Sequence, residues 1–226
     1  MRGLFIVARI LGAAAIVAAI VGQLITTWNF WEGKLEDRSI LFVNFFSFFT
    51  IDSNVGAAVV FVIGAVVLLR RIDDPRWFGI LRACVTAYMA VTGIVYNTLL
   101  RGIALPQGTT LEWSNEILHV AAPILLVLDW LLAPGRIRLE WKNLWWVVSF
   151  PLVWVAYTMV RGPLVTNPVT HTPPWYPYPF LNPDLSPEGY VSVGFYIVLI
   201  AAVIIGVGAA VVRVSRQGRW PLPARG

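Results

Sequence analysis

Residues 40–69 read ILFVNFFSFFTIDSNVGAAVVFVIGAVVLL, a run in which Asp52 is the only ionisable side chain and polar groups crowd into positions 44–54. A helix needs roughly 20 apolar residues to cross roughly 30 Å of hydrocarbon, so this run is long enough to span a bilayer. Five more runs of that kind lie around it: Leu4 to Thr27, Phe78 to Leu100, Trp113 to Leu132, Leu144 to Val160 and Tyr190 to Val212. The 226 residues are 58% hydrophobic and 13% charged, with a mean hydropathy of +0.73. A soluble domain is typically about 45–50% apolar and about 25% charged. The sequence therefore predicts an all-α, polytopic bundle of six transmembrane helices forming a single domain over residues 1–226, with no room for a separate soluble domain. The first run also has features of a signal peptide, a basic start at Met1-Arg2-Gly3 and small residues at Ala13-Ala14-Ala15. Its apolar stretch continues to Ile25, which favours a retained helix.

Several function classes drop out at this level. One cysteine, Cys84, excludes an intramolecular disulfide and a thiolate zinc cage, and two histidines, His119 and His171, exclude a three-histidine metal site. No metal and no cofactor are expected. The net charge of +5 does not point to nucleic acid, because the basic residues sit at the ends of apolar runs and are not gathered on one polar face.

Those basic residues instead read as topology signals, since positively charged loops stay in the cytoplasm. Arg2, Arg9, Arg70, Arg71, Arg76, Arg82, Arg136, Arg138, Lys142, Arg213, Arg216, Arg219 and Arg225 fall on one side, thirteen in all, against Lys34, Arg38, Arg101 and Arg161 on the other. Both termini are expected in the cytoplasm of a multi-pass inner-membrane protein. The longest loop, 161–189, is then extracytoplasmic; its prolines prevent a helix, and Trp175, Tyr176 and Tyr178 suit the headgroup region of an ordered cap.

Polar groups are costly in hydrocarbon, so those inside spans are the best functional candidates. On one continuous helix, Asn44, Ser47, Thr50 and Asn54 share about one third of the circumference, while Asp52 points away. Interhelical hydrogen-bonding glue is the plain explanation for any one of them. The fourth span opens Trp113-Ser114-Asn115-Glu116-Ile117-Leu118-His119. Glu116-x-x-His119 is half of a carboxylate-bridged di-iron motif whose second half is missing. At about 1.5 Å per residue, Thr50 and His119 lie roughly 13 and 9 Å below the outer surface, level enough to meet. The third span ends Tyr96-Asn97-Thr98-Leu99-Leu100-Arg101 and the fifth Tyr157-Thr158-Met159-Val160-Arg161. A hydroxyl, an imidazole, amides and two cations thus converge in one layer, as a nucleophile, base and oxyanion pocket require. Asp129, near the other end of the fourth span, is explained by an ion pair or helix-end contact beside the basic turn 136–142. His171 is a loop residue and a second choice for the base.

Five motifs in order, FFTIDSN, YNTLLRG, LHVAAPILLVLDWLL, YTMVRGP and WYPYPFLNP, resemble the bacterial six-span membrane proteins related to the animal androgen-induced and androgen-dependent proteins. The resemblance covers nearly the whole chain. It implies an intramembrane threonine hydrolase of the kind that cleaves fatty acid esters of hydroxy fatty acids, with the threonine at Thr50 and the histidine at His119. Richness in Ala, Val and Arg agrees with a bacterial source.

The leading expectation is accordingly a membrane-embedded lipid ester hydrolase acting on long-chain acyl esters. Thr50 is the expected nucleophile and His119 the base; Asn54, Asn97 or Tyr96 is the expected oxyanion donor, Arg101 or Arg161 the holder of a substrate carboxylate at the interface, and Tyr157 a further substrate-binding or oxyanion candidate. Its partners are a lipid substrate and bilayer lipids. The pocket is expected to be apolar inside with a polar neck at Thr50 and His119, walled by Phe45, Phe46, Phe48 and Phe49. A small transporter or channel lined by the polar stripe and a lipid-binding protein without chemistry are the alternatives.

Overall fold

A computed structural model describes residues 2–35, 38–103 and 109–217. Met1, part of the signal-peptide reading, and Arg219 and Arg225, counted above for topology, lie outside the described residues. The helices are α1 (Arg2–Phe30), α2 (Ser39–Phe45), α3 (Phe49–Leu69), α4 (Arg76–Val95), α5 (Glu112–Glu116), α6 (Ala122–Leu132), α7 (Leu144–Arg161) and α8 (Tyr190–Arg216). A π-helical turn over Tyr96–Leu100 extends α4, and another over Ile117–Ala121 joins α5 to α6. Taken with those turns, six helices are long and apolar enough to cross a membrane. The chain is an all-α membrane protein, and its six antiparallel passages bring the start of α1 and the end of α8 to one end of the bundle, called here the terminal end.

Packing is uneven. α3 and α4 form the centre, and α1 lies along α3 where Gly64 leaves room for Arg9 and Gly12 for Phe61. Helices in lipid gain no hydrophobic drive from meeting, so close approach at small residues and buried hydrogen bonds carry much of the association. α7 and α8 are more peripheral and touch near the terminal end, where Gly208 admits Leu144 and Val147. Away from that contact they present Trp145, Val153, Val160, Val191 and Val198 outward, the surface a bilayer would cover. The 3₁₀ turn Trp141–Asn143 that leads into α7 carries a capping box: Asn143 accepts from the Glu140 backbone N–H at 2.9 Å and Glu140 caps in return.

Two features depart from the sequence reading. The run 40–69 is not one helix: α2 stops at Phe45 and α3 starts afresh at Phe49. The shared stripe of Asn44, Ser47, Thr50 and Asn54 is therefore split. Segment 161–189 lies only partly on the surface: Leu164, Val169 and Leu185 are exposed, but its middle is buried. Trp175, Tyr176, Tyr178 and Leu181 are buried, with Phe48 edge-on to Trp175 at 5.9 Å and to Tyr178 at 5.7 Å. This proline-rich backbone forms only short 3₁₀ turns, at Gly162–Leu164, Pro179–Leu181 and Pro183–Leu185, and threads its aromatic rings into the bundle.

At the terminal end, Arg9 and Arg82 are fully buried with Asp74 and Asp129. Arg9 Nε donates to Asp129 Oδ1 at 2.8 Å and its Nη1 to the Gly64 carbonyl at 2.5 Å. Arg82 bonds Asp74 Oδ2 and Asp129 Oδ2, each at 2.8 Å. Asp129 thus pairs with α1 and α4 and not with the 136–142 turn, whose Arg136 caps the carbonyls of Trp130 and Leu131.

Candidate active site

The break in the second span builds the site. Ser47 Oγ donates back to the Val43 carbonyl at 2.6 Å and accepts from Tyr157 OH at 3.0 Å, while the Trp154 indole N–H takes the Ser47 carbonyl at 3.1 Å. Phe48 is extended, and Thr50 becomes the second residue of α3. Backbone N–H groups in a first helical turn have no acceptor within the helix and carry its positive partial charge. The Thr50 N–H is satisfied by Tyr178 OH at 3.2 Å.

His119 sits on the π-helical turn of the fourth span. Pro123 has no N–H to offer the His119 carbonyl, which favours the wider turn; such turns recur at functional sites. The Asn115 carbonyl accepts a hydrogen bond from His119 Nδ1 at 2.9 Å, which fixes the neutral tautomer with Nε2 unprotonated. Thr50 Oγ1 then donates to that Nε2 at 3.2 Å. The ring is held from the side by Tyr96, stacked at 4.1 Å with an interplanar angle of 28°, and Asn115 Nδ2 ties Tyr96 OH at 2.5 Å. Asn54 Nδ2 bridges the two helices, donating to the Thr50 carbonyl at 2.9 Å and to the Leu118 carbonyl at 3.0 Å.

Tyr178 is the third member, and the sequence reading placed it at the surface. Its OH lies 3.3 Å from Thr50 Oγ1. Because the Thr50 hydroxyl proton is directed at His119, the phenol donates to Oγ1 while accepting the Thr50 N–H. Burial pushes the phenol up to about 12, so it holds its proton through the physiological range. The alternation in Trp175-Tyr176-Pro177-Tyr178-Pro179, with a polar-tipped ring at every second position, was the available signal.

The other predicted residues take different places. Asn54 spends both amide protons on backbone carbonyls, so it positions Thr50 and His119 and is not free to bind an oxyanion. Tyr96 likewise orients the imidazole. Asn97 donates to the Gly93 carbonyl at 2.7 Å and reaches the His119 carbonyl at 3.5 Å. Arg101 is committed to Glu116 at 2.9 Å and to Asn97 at 3.0 Å, facing outward. Arg161 donates to Asn44 Oδ1 at 2.6 Å and lies over Trp175, and Tyr157 holds Ser47. This second cluster supports the helix break and lines neither cavity beside Thr50. Asp52 is half-buried, and His171 is an exposed loop residue with φ of +58°.

Two cavities adjoin the hydroxyl. The larger, about 100 Å³, lies among α3, α4, α7 and α8 and is lined by apolar groups including Val95, Leu152, Val155, Ile197 and Ala201. The smaller, about 30 Å³, is lined by His119, Asn115, Ser114, Gln23, Phe45 and Phe48, among others. Thr50 and Tyr178 border both. Of the four phenylalanines expected as walls of one pocket, Phe49 lines the larger cavity, Phe45 and Phe48 the smaller, and Phe46 points outward.

Six helices long and apolar enough to cross a membrane thus surround a buried threonine, histidine and tyrosine. No known protein family, curated protein or solved structure matches the chain.

Proposed function

We propose that the protein is an intramembrane lipid ester hydrolase with Thr50 as nucleophile and His119 as general base. One observation carries this reading: a threonine hydroxyl donates to an imidazole nitrogen whose tautomer is fixed from behind, beside an apolar cavity. An alcohol is a poor nucleophile until an adjacent base takes its proton, and this pairing provides one. Thr50 Oγ1 attacks the ester carbonyl as its proton passes to Nε2. Tyr178 O–H, no longer held by the attacking oxygen, donates to the developing oxyanion. Collapse breaks the bond to the alcohol oxygen, which leaves with the proton from Nε2. Water then gives a proton to Nε2, its oxygen attacks the acyl carbon, and Thr50 recovers its proton as the fatty acid departs.

The likeness of FFTIDSN and LHVAAPILLVLDWLL to the threonine hydrolase family supports the same pair. Because Arg101 and Arg161 are already engaged by protein groups, we assign substrate recognition to the apolar cavity and not to a carboxylate clamp. We place the terminal end in the cytoplasm of a bacterial inner membrane, on the basic asymmetry, which puts the site in the outer half of the bilayer.

A fluorophosphonate probe on the purified full chain tests the proposal. Labelling of wild type that disappears in Thr50→Ala is the expected result. Equal labelling of Thr50→Ala refutes the nucleophile, and absence of labelling in all forms moves the function to transport or lipid binding.

A further inference from the structure

The two cavities that meet at Thr50 differ in wall chemistry, exposure and access to the imidazole. His119 borders only the smaller one. In the hydrolase mechanism the proton that His119 takes from Thr50 must be handed to the departing alcohol oxygen, so that oxygen has to stand at Nε2, on the smaller cavity's side. The oxyanion belongs at Tyr178. The remaining substituent of the tetrahedral carbon, the acyl chain, is left with the larger cavity.

Size and wall polarity then set different limits on the two halves of a substrate. The smaller cavity has buried walls: Gln23, Phe45, Phe48, Ser114 and Leu118 are each at most 6% exposed. Gln23, on its wall, is fixed by donating to the Thr109 carbonyl at 3.1 Å and accepting the Leu111 N–H at 2.8 Å. A water needs roughly 10–15 Å³ on this kind of measure, so about 30 Å³ holds roughly two waters or a comparably small organic group. It is also the polar one, suited to the hydrolytic water that must approach the same nitrogen. The larger cavity is bounded by α7 and α8 residues that are only partly buried, Val155, Ile197 and Ala201 with the exposed Leu152, so it opens sideways between two peripheral helices. A chain longer than the cavity can extend through that side.

We infer that the site is built for long-chain acyl esters of small alcohols, with the acyl chain between α7 and α8 and the alcohol in the His119 chamber. This rests on the Thr50–His119 reading and adds a direction to it. The two halves of the substrate are not interchangeable. An ester with a small acyl group and a long alcohol does not fit, nor does one long on both sides, so the substrate differs from the hydroxy fatty acid esters of the family that the motifs resemble.

The test uses the full chain in detergent micelles with methyl palmitate, hexadecyl acetate and hexadecyl palmitate, with Thr50→Ala as control. Methyl palmitate should exceed each of the others by at least about 100-fold in kcat/KM, the scale on which a small pocket rejects a group it cannot hold. In Ala201→Phe, the ratio of methyl palmitate to methyl butyrate turnover should fall, and an unchanged ratio would overturn the placement of the acyl chain. Hexadecyl acetate or hexadecyl palmitate turned over as fast as methyl palmitate, with Thr50→Ala inactive, would overturn the directionality and leave the hydrolase reading intact. Turnover that survives in Thr50→Ala, or no turnover of any ester by wild type, overturns both.

Discussion

Two buried polar clusters occupy opposite ends of the bundle, and they are built on opposite principles. At the terminal end, Arg9, Arg82, Asp74 and Asp129 neutralise one another through charge-assisted bonds of 2.8–3.1 Å and line neither cavity. At the other end, Thr50, His119 and Tyr178 are held by neutral hydrogen bonds of 3.2–3.3 Å, and empty space lies on both sides. Burial alone does not separate the charged cluster from the one proposed to be reactive, since both are almost inaccessible. What separates them is whether a nucleophilic atom borders space that a ligand can enter and whether its proton already has somewhere to go.

If that distinction is right, damage to the two ends has different readouts. The largest effect is expected at the reactive end. Thr50→Ala and His119→Gln should each lose on the order of 10⁴-fold in ester turnover, and the double variant about as much, because a nucleophile and its base act as a unit. Unfolding midpoints should shift little, since one neutral hydrogen bond is worth about 1 kcal/mol. Additive losses in the double variant would show that the two residues work separately.

Arg82→Met comes next and should act only on stability. Removing one partner leaves Asp74 without its cation and Asp129 with half its charge unpaired, a loss of about 3–5 kcal/mol for breaking a buried ion pair. Thermal unfolding in detergent measures it. Turnover per folded molecule should match wild type, and a selective loss of turnover without loss of stability would erase the contrast between the clusters. Tyr178→Phe should fall between the two behaviours. Losing the donor to the oxyanion should lower kcat about 100-fold with KM nearly unchanged, the scale seen for removal of a single oxyanion donor. A rise in KM with kcat preserved would make Tyr178 a packing residue.

The sequence made the span pattern plain because each span is a long apolar run, and Thr50 and His119 stood out because polar groups in such runs are few. The break at 46–48 was not legible. NFFSFFT contains neither glycine nor proline, and the helix is interrupted by tertiary partners: Tyr157 and Trp154 from α7 on Ser47, and the rings of the 161–189 segment on Phe48. Tyr178 was hidden for the same reason, since nothing local shows that a proline-rich loop dips into the bundle. Arg9 and Arg82 were counted as topology signals, although both lie several residues inside their helices, at the level where Asp129 approaches from the fourth span. Matching the depths of unlike charges would have paired them, as matching depths paired Thr50 with His119.

The smallest effect is expected from the residue pair that looked most like a substrate clamp. Arg101 and Glu116 lie within two turns of the site, but they meet each other at 2.9 Å on an exposed face, where solvent screens the pair and both side chains lose freedom to hold it. Glu116→Gln removes the charge while keeping the shape, and it frees Arg101 to bind an acidic group. If recognition comes from the apolar cavity, turnover of methyl palmitate and of a palmitoyl ester carrying a free carboxylate should both stay at wild-type values. Faster turnover confined to the carboxylate ester would mean that Arg101 reaches substrate once released, and Glu116 would then be the group that holds it back. Slower turnover of both would mean that the pair anchors the Asn115–His119 turn from outside. Parallel kinetics on the two esters separate these outcomes, and only unchanged rates on both keep the working parts of the molecule confined to the buried cluster.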